Sequence, residues 1–156
     1  MELRTDKIRA CFDRKIGNFT ELWNLSTNTN YVRCAPRDPL IELYGLKNGE
    51  RVKLSGHISD VAEAPDALIL SYDSFGEYDI SAKVTCRCEQ DRLVFSAEIC
   101  NHSTIDVTEI LMPHLGGIYL GNGQKDYLIY PHHAGDKTED PVYNYAENRM
   151  TFWRGC

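Results

Sequence analysis

The sequence predicts an all-β fold, an antiparallel β-sandwich, and three observations carry that prediction. Apolar and polar residues alternate with period two along Ala82-Lys83-Val84-Thr85-Cys86-Arg87-Cys88 and again from Leu93 to Ile99, as in half-buried antiparallel strands. Gly, Asn and Pro interrupt such runs every ~8–12 residues, the turn spacing of a sandwich or barrel. No long segment shows helical spacing together with capping residues. The 156 residues suit one domain, so a single sandwich over residues 1–156 is expected.

Ile8 to Asp13 and Phe19 to Asn24 read as strands around the turn Arg14-Lys15-Ile16-Gly17-Asn18, where Gly17 admits positive φ. Leu40 to Tyr44 and Val52 to Ser59 follow, around Lys47-Asn48-Gly49, and Asn-Gly is a tight-hairpin signal. Ala67 to Tyr72 is rich in β-formers. Glu89-Gln90-Asp91-Arg92 is a polar turn that makes the two alternating runs a hairpin, with Leu93, Phe95, Ala97 and Ile99 on one face. Asn101-His102-Ser103-Thr104 is the next turn. Ile105 to Met112 then forms a strand closed by Pro113, so residues 83–112 read as a meander. Ile118-Tyr119-Leu120 and Tyr127-Leu128-Ile129-Tyr130 are short apolar runs on either side of the turn Gly121-Asn122-Gly123. Asp136-Lys137-Thr138-Glu139-Asp140 reads as an ordinary solvated loop.

Composition narrows the function classes. A hydrophobic share of 42% and a charged share of 26% are those of a globular chain. The net charge of -6 argues against nucleic acid as a partner, since phosphate binding is driven by Lys and Arg. No apolar run approaches the roughly 18 residues of a membrane span, and Met1-Glu2-Leu3-Arg4-Thr5-Asp6-Lys7 carries no apolar signal region. A cytoplasmic origin is the expectation. The six cysteines (Cys11, Cys34, Cys86, Cys88, Cys100 and Cys156) contain no Cys-x-x-Cys, and Cys86 and Cys88 share one strand face. They are expected to be reduced thiols, largely buried, that act as small hydrophobes. The sequons at Asn18, Asn24 and Asn101 are read as chance triplets.

The segment after Met112 is where chemistry gathers. Three of the five histidines, His114, His132 and His133, lie there with Asp126, Tyr130 and several glycines. Aromatic faces stack on the C–H surfaces of sugars, while Asp and His hydrogen-bond hydroxyls. These five residues are therefore candidates for a carbohydrate contact or a domain interface. The plainer reading is that Pro and Gly end strands here and the tyrosines fill core and rim. His132 and His133 are adjacent and would point to opposite faces of a strand, so no metal site is expected. Neither a Gly-x-Ser-x-Gly turn nor a phosphate-binding Gly loop occurs, and no catalytic residue and no cofactor are assigned.

The run from Val107 to Ile118, with Met112-Pro113-His114-Leu115-Gly116-Gly117 at its centre, then Asp126 to Pro131 and Gly135, resembles a β-supersandwich domain. That domain precedes the catalytic barrel of large glycoside hydrolases of the endo-α-N-acetylgalactosaminidase type and their uncharacterised relatives. Met112 stands where the family usually has an aromatic residue. Phe12-Asp13, Gly17 and Leu22-Trp23-Asn24 are similar to the family's first hairpin. The resemblance implies a galactose-mutarotase-like fold and a glycan-related role. It carries over no catalytic residue, because those relatives keep their acid and nucleophile on the barrel. It also implies a fragment of a longer protein, incomplete at its C-terminus.

The expected function is thus a non-catalytic module of a bacterial glycoside-hydrolase-like protein, docking the barrel and contacting carbohydrate. Open strand edges left by an early stop would favour homo-oligomers. The alternatives are a small mutarotase-type sugar epimerase, which a His-Glu pair would serve, and a self-standing carbohydrate-binding module.

Overall fold

The structure is a computed structural model that describes residues 1–34, 36–118, 127–130 and 136–139. The chain divides into two compact units, Met1–Tyr119 and Leu120–Cys156. Among the described residues every regular element is a strand.

The first unit holds three antiparallel sheets. One runs in the order β1 (Glu2–Arg4), β2 (Ile8–Phe12), β3 (Phe19–Asn24) and β4 (Thr29–Asn30). The second is ordered β10-β9-β8-β7, from β7 (Asp60–Glu63), β8 (Ala67–Tyr72), β9 (Ile80–Glu89) and β10 (Arg92–Asn101). The third sets β5 (Glu42–Lys47) between β6 (Glu50–Leu54) and β11 (Asp106–Leu111). One apolar cluster joins all three: Ala10, Phe12 and Phe19 from the first, Leu68, Leu70, Val84 and Cys86 from the second, Leu43 and Leu54 from the third. This unit is a β-sandwich, with alternate residues of each inner face meeting in the core. Phe19 shows the packing, lying 4.9 Å from Phe12 within its own sheet and edge-on to Phe95 of the second sheet at 6.1 Å.

The alternation read from the sequence sets the faces as expected. Along β9, Ile80, Ala82, Val84 and Cys86 are buried and the residues between them are not. The β9–β10 hairpin pairs without a register shift from Ile80↔Asn101 to Glu89↔Arg92. Asn48 (φ 54) and Gly49 (φ 82) make the two-residue turn between β5 and β6. Gly17 has φ 71, and a Cβ there would lie 2.5 Å from a Leu70 methyl, so both conformation and space demand glycine. A bulge in the β2–β3 pairing, where Cys11↔Glu21 gives way to Phe12↔Phe19, shifts the parity of β3. Phe19 and Leu22 thereby both face the core, and Trp23 shares the opposite face with Glu21.

The meander expected over residues 83–112 is corrected at its third strand. β11 leaves β10 and pairs with β5, from Asp106↔Leu46 to Leu111↔Glu42. Gly45 makes this close approach feasible, because a Cβ there would sit 2.8 Å from the Asp106 carbonyl oxygen. The turn before it is tied back by Asn101 Nδ2 donating to the Ile105 carbonyl and by His102 N–H donating to the Asp79 carbonyl. In the second unit, β12 (Tyr127–Tyr130) pairs antiparallel with β13 (Asp136–Glu139). The loop expected at Asp136–Asp140 is thus a strand over its first four residues. Main-chain pairing needs no apolar period, and Asp-Lys-Thr-Glu offers none.

Candidate functional site

Of the residues singled out by sequence, His114 lies in the first unit and Tyr130 ends β12, its Cα opposite Asp136. Asp126, His132 and His133 lie outside the described residues.

His114 is held by its backbone. Its N–H donates to the Leu40 carbonyl at 2.8 Å, and its own carbonyl accepts from Asn18 Nδ2 at 2.8 Å. Asn18 is fully buried and also donates to the Asp38 carbonyl at 2.9 Å, while its Oδ1 accepts the Phe19 N–H. Burial at 0% exposure makes that sequon asparagine a structural tie between three chain segments. The His114 imidazole lies beside Glu42, with Nδ1 3.5 Å from Oε1. Glu42 is only 3% exposed, accepts from Tyr44 Oη at 3.0 Å and is ion-paired with Lys53. Burial alone would raise its carboxyl pKa. The hydrogen bonds from Lys53 and Tyr44, with the charge of Lys53 and the nearness of His114, outweigh that and hold it below the ordinary value.

Two hollows flank this corner. The smaller, ≈ 230 Å³, is lined by Glu42, Lys53 and Tyr72 with Lys15, Arg37, Asp38 and His57. The Tyr72 hydroxyl is buried without a hydrogen-bond partner among the described residues, and burial pushes its pKa up to about 12. The larger, ≈ 590 Å³, is an open groove between the first and second sheets. Its walls are Ile8, Phe19 and Leu22 on one side and Leu93 and Phe95 on the other, with Tyr31 and Leu115. Its polar members are Lys7, Asn24, Ser26, Asp91 and Arg92, and Lys7 forms an ion pair with Asp91 at 3.8 Å. Trp23 borders the groove, its indole N–H donating to Glu21 Oε2 at 2.8 Å. Glu21 in turn meets Arg9 Nη1 at 3.3 Å.

The two regions permit different chemistry. A His-Glu pair can orient a proton at imidazole, yet here His114 Nδ1 is buried without a hydrogen-bond partner among the described residues, and His114 lines neither hollow. The groove offers an apolar wall with hydrogen-bonding groups at its edge, the layout of a small-molecule site. Thiol chemistry has no activated centre among the groups whose pKa is displaced. Burial, with Cys88 nearby, pushes Cys86 up to about 12, and burial raises Cys11 and Cys88 as well. The expectation of largely buried thiols holds for Cys86; Cys11 and Cys88 are half-buried, Cys34 and Cys100 are exposed, and Cys156 lies outside the described residues. Among the described residues no His, Cys, Asp or Glu cluster is arranged to hold a metal, and no helix is long and apolar enough to cross a membrane.

Sequence reading missed Glu42 and the groove. Glu42 left a signal, an acid inside the apolar run Leu40-Ile41-Glu42-Leu43. The groove left none, because its walls come from strands that meet only in the fold. By fold and site the molecule belongs to the antiparallel β-sandwiches with an open apolar groove between sheets. Comparison with protein-family models, curated proteins and solved structures finds no match to the chain.

Proposed function

We propose that this chain is a non-catalytic β-sandwich module that contacts carbohydrate, carried by a bacterial glycoside-hydrolase-like protein and packed beside its catalytic barrel. The observation that supports this reading is the groove. A sugar ring has an apolar C–H face that suits a wall of Tyr31, Leu22 and Phe95, and hydroxyls that suit Asn24, Ser26, Asp91 and Arg92. At ≈ 590 Å³ the groove falls within the size range of small-molecule sites. A cytoplasmic setting is part of the proposal, supported by the Cα partners of Cys86 and Cys88 across the sheet, Phe95, Leu68 and Leu93, none of which is a cysteine. The test is calorimetric titration with galactose, glucose and short oligosaccharides, on the native chain and on Tyr31→Ala. Saturable binding weakened about tenfold by the substitution is expected. No saturable binding by any of them would end the reading.

The His114–Glu42 pair favours a second reading, a mutarotase-type epimerase. Polarimetry with glucose and galactose decides between the two. No acceleration over buffer is expected, and acceleration abolished in His114→Ala would establish the epimerase instead.

A further inference from the structure

The two edges of the second sheet are built differently. At one edge, β7 is four residues long and half of them are acidic, Asp60 and Glu63. Short, charged edge strands resist pairing with another chain. At the other edge, β10 is ten residues long, carries no proline and pairs with β9 through all ten positions without a bulge. Among the described residues nothing pairs with its second edge. An undefended edge of this kind presents a row of main-chain donors and acceptors to an added strand.

We propose that β10 is where two copies of this chain join, edge to edge and antiparallel, with Arg92 opposite Glu98 of the partner subunit. Charge complementarity selects both the occupant and the register. For side chains facing the core to stay on the core side, odd residues must oppose odd ones. Among such registers, one places Arg92 against the partner's Glu98, and two-fold symmetry repeats the pair at the other end. The same register sets Leu93 against the partner's Ala97 and Val94 against the partner's Ser96, with Phe95 on the axis. Shifting it so that Glu98 meets the partner's Glu98 sets like charges opposite each other, which is unfavourable. In the single chain Arg92 reaches Glu89 at 3.0 Å, but both side chains are well exposed, so little opposes its turning outward. The result is one continuous eight-stranded sheet, two four-stranded halves joined at β10, with a groove on either side of the axis.

Sedimentation equilibrium of the full chain over a range of concentrations is the test. A monomer–dimer equilibrium is expected, weakened about tenfold by Arg92→Glu or by Glu98→Arg, each of which sets two like-charged pairs across the interface. The double variant exchanges the charges and should restore the dimer. Oxidising a mixture of Val94→Cys and Ser96→Cys copies should link those two positions, read by peptide mass. A monomer at every concentration would overturn the proposal. So would a dimer indifferent to both charge reversals, or a cross-link map without the 94–96 link.

Discussion

The corner built on Asn18 and the groove between the sheets are both lined by polar and apolar groups, but they arrange them oppositely. At the corner two buried polar side chains are paired: Asn18 makes three hydrogen bonds, and Glu42 is held by Lys53 and Tyr44. In the groove apolar side chains remain open to solvent, Leu115 at 41% exposure, with the polar groups at the margin. Buried and satisfied polar groups fix one arrangement of loops. Apolar surface left uncovered gains free energy only when something covers it. The corner is therefore architecture, and the groove is where the proposed ligand would sit.

The largest effect should come from breaking the corner. Asn18→Ala removes the partner of the buried Phe19 N–H and of the part-buried Asp38 and His114 carbonyls, and a loss of about 2–4 kcal/mol is expected in urea unfolding. Next comes Glu42→Gln, which removes the charge that Lys53 faces and should cost about 1–3 kcal/mol near neutral pH. The pH dependence has a definite sign. Glu42's folded pKa lies below its ordinary 4.5, so its contribution is complete above 4.5 and disappears as pH falls through the lowered value. Unfolding midpoints of the native chain should fall over that window, and Glu42→Gln should flatten part of the decline. A smaller effect of opposite sign is expected from Tyr72→Phe. Its hydroxyl is buried without a partner, so its removal should raise stability by up to about 1 kcal/mol.

Thiol labelling sharpens the same contrast between closed and open regions. Cys34 and Cys100 should react at once in the native protein, while Cys86 should stay protected until unfolding. Rapid native labelling of Cys86 would mean that the packing between β8, β9 and β10 is loose.

The legible parts of the sequence were those whose cause is local. Alternation placed β9 and β10, richness in β-formers placed β8, and Gly17 and Asn48-Gly49 placed their turns. Where the cause is long-range, the sequence is silent. Residues of β11 alternate as well in a crossover strand as in a meander, and only Gly45, far along the chain, admits the partner it takes. β7 and β13 have too few apolar residues to show a period. His114 stood out as a histidine among prolines and glycines, yet its neighbours Glu42, Lys53 and Asn18 come from other elements. The groove depends on a bulge in β3 and on which strand lies across from it, and neither is encoded locally.

Backbone amide chemical shifts of the native chain during titration with galactose, glucose and short oligosaccharides test the central claim most directly. Progressive, saturable shifts are expected at Asn24, Tyr31, Leu93, Phe95 and Leu115, with the corner around Asn18 and Glu42 unmoved. Shifts confined to Lys15, Arg37 and His57 around the smaller hollow, or none at all, would contradict the assignment of the groove as the binding site.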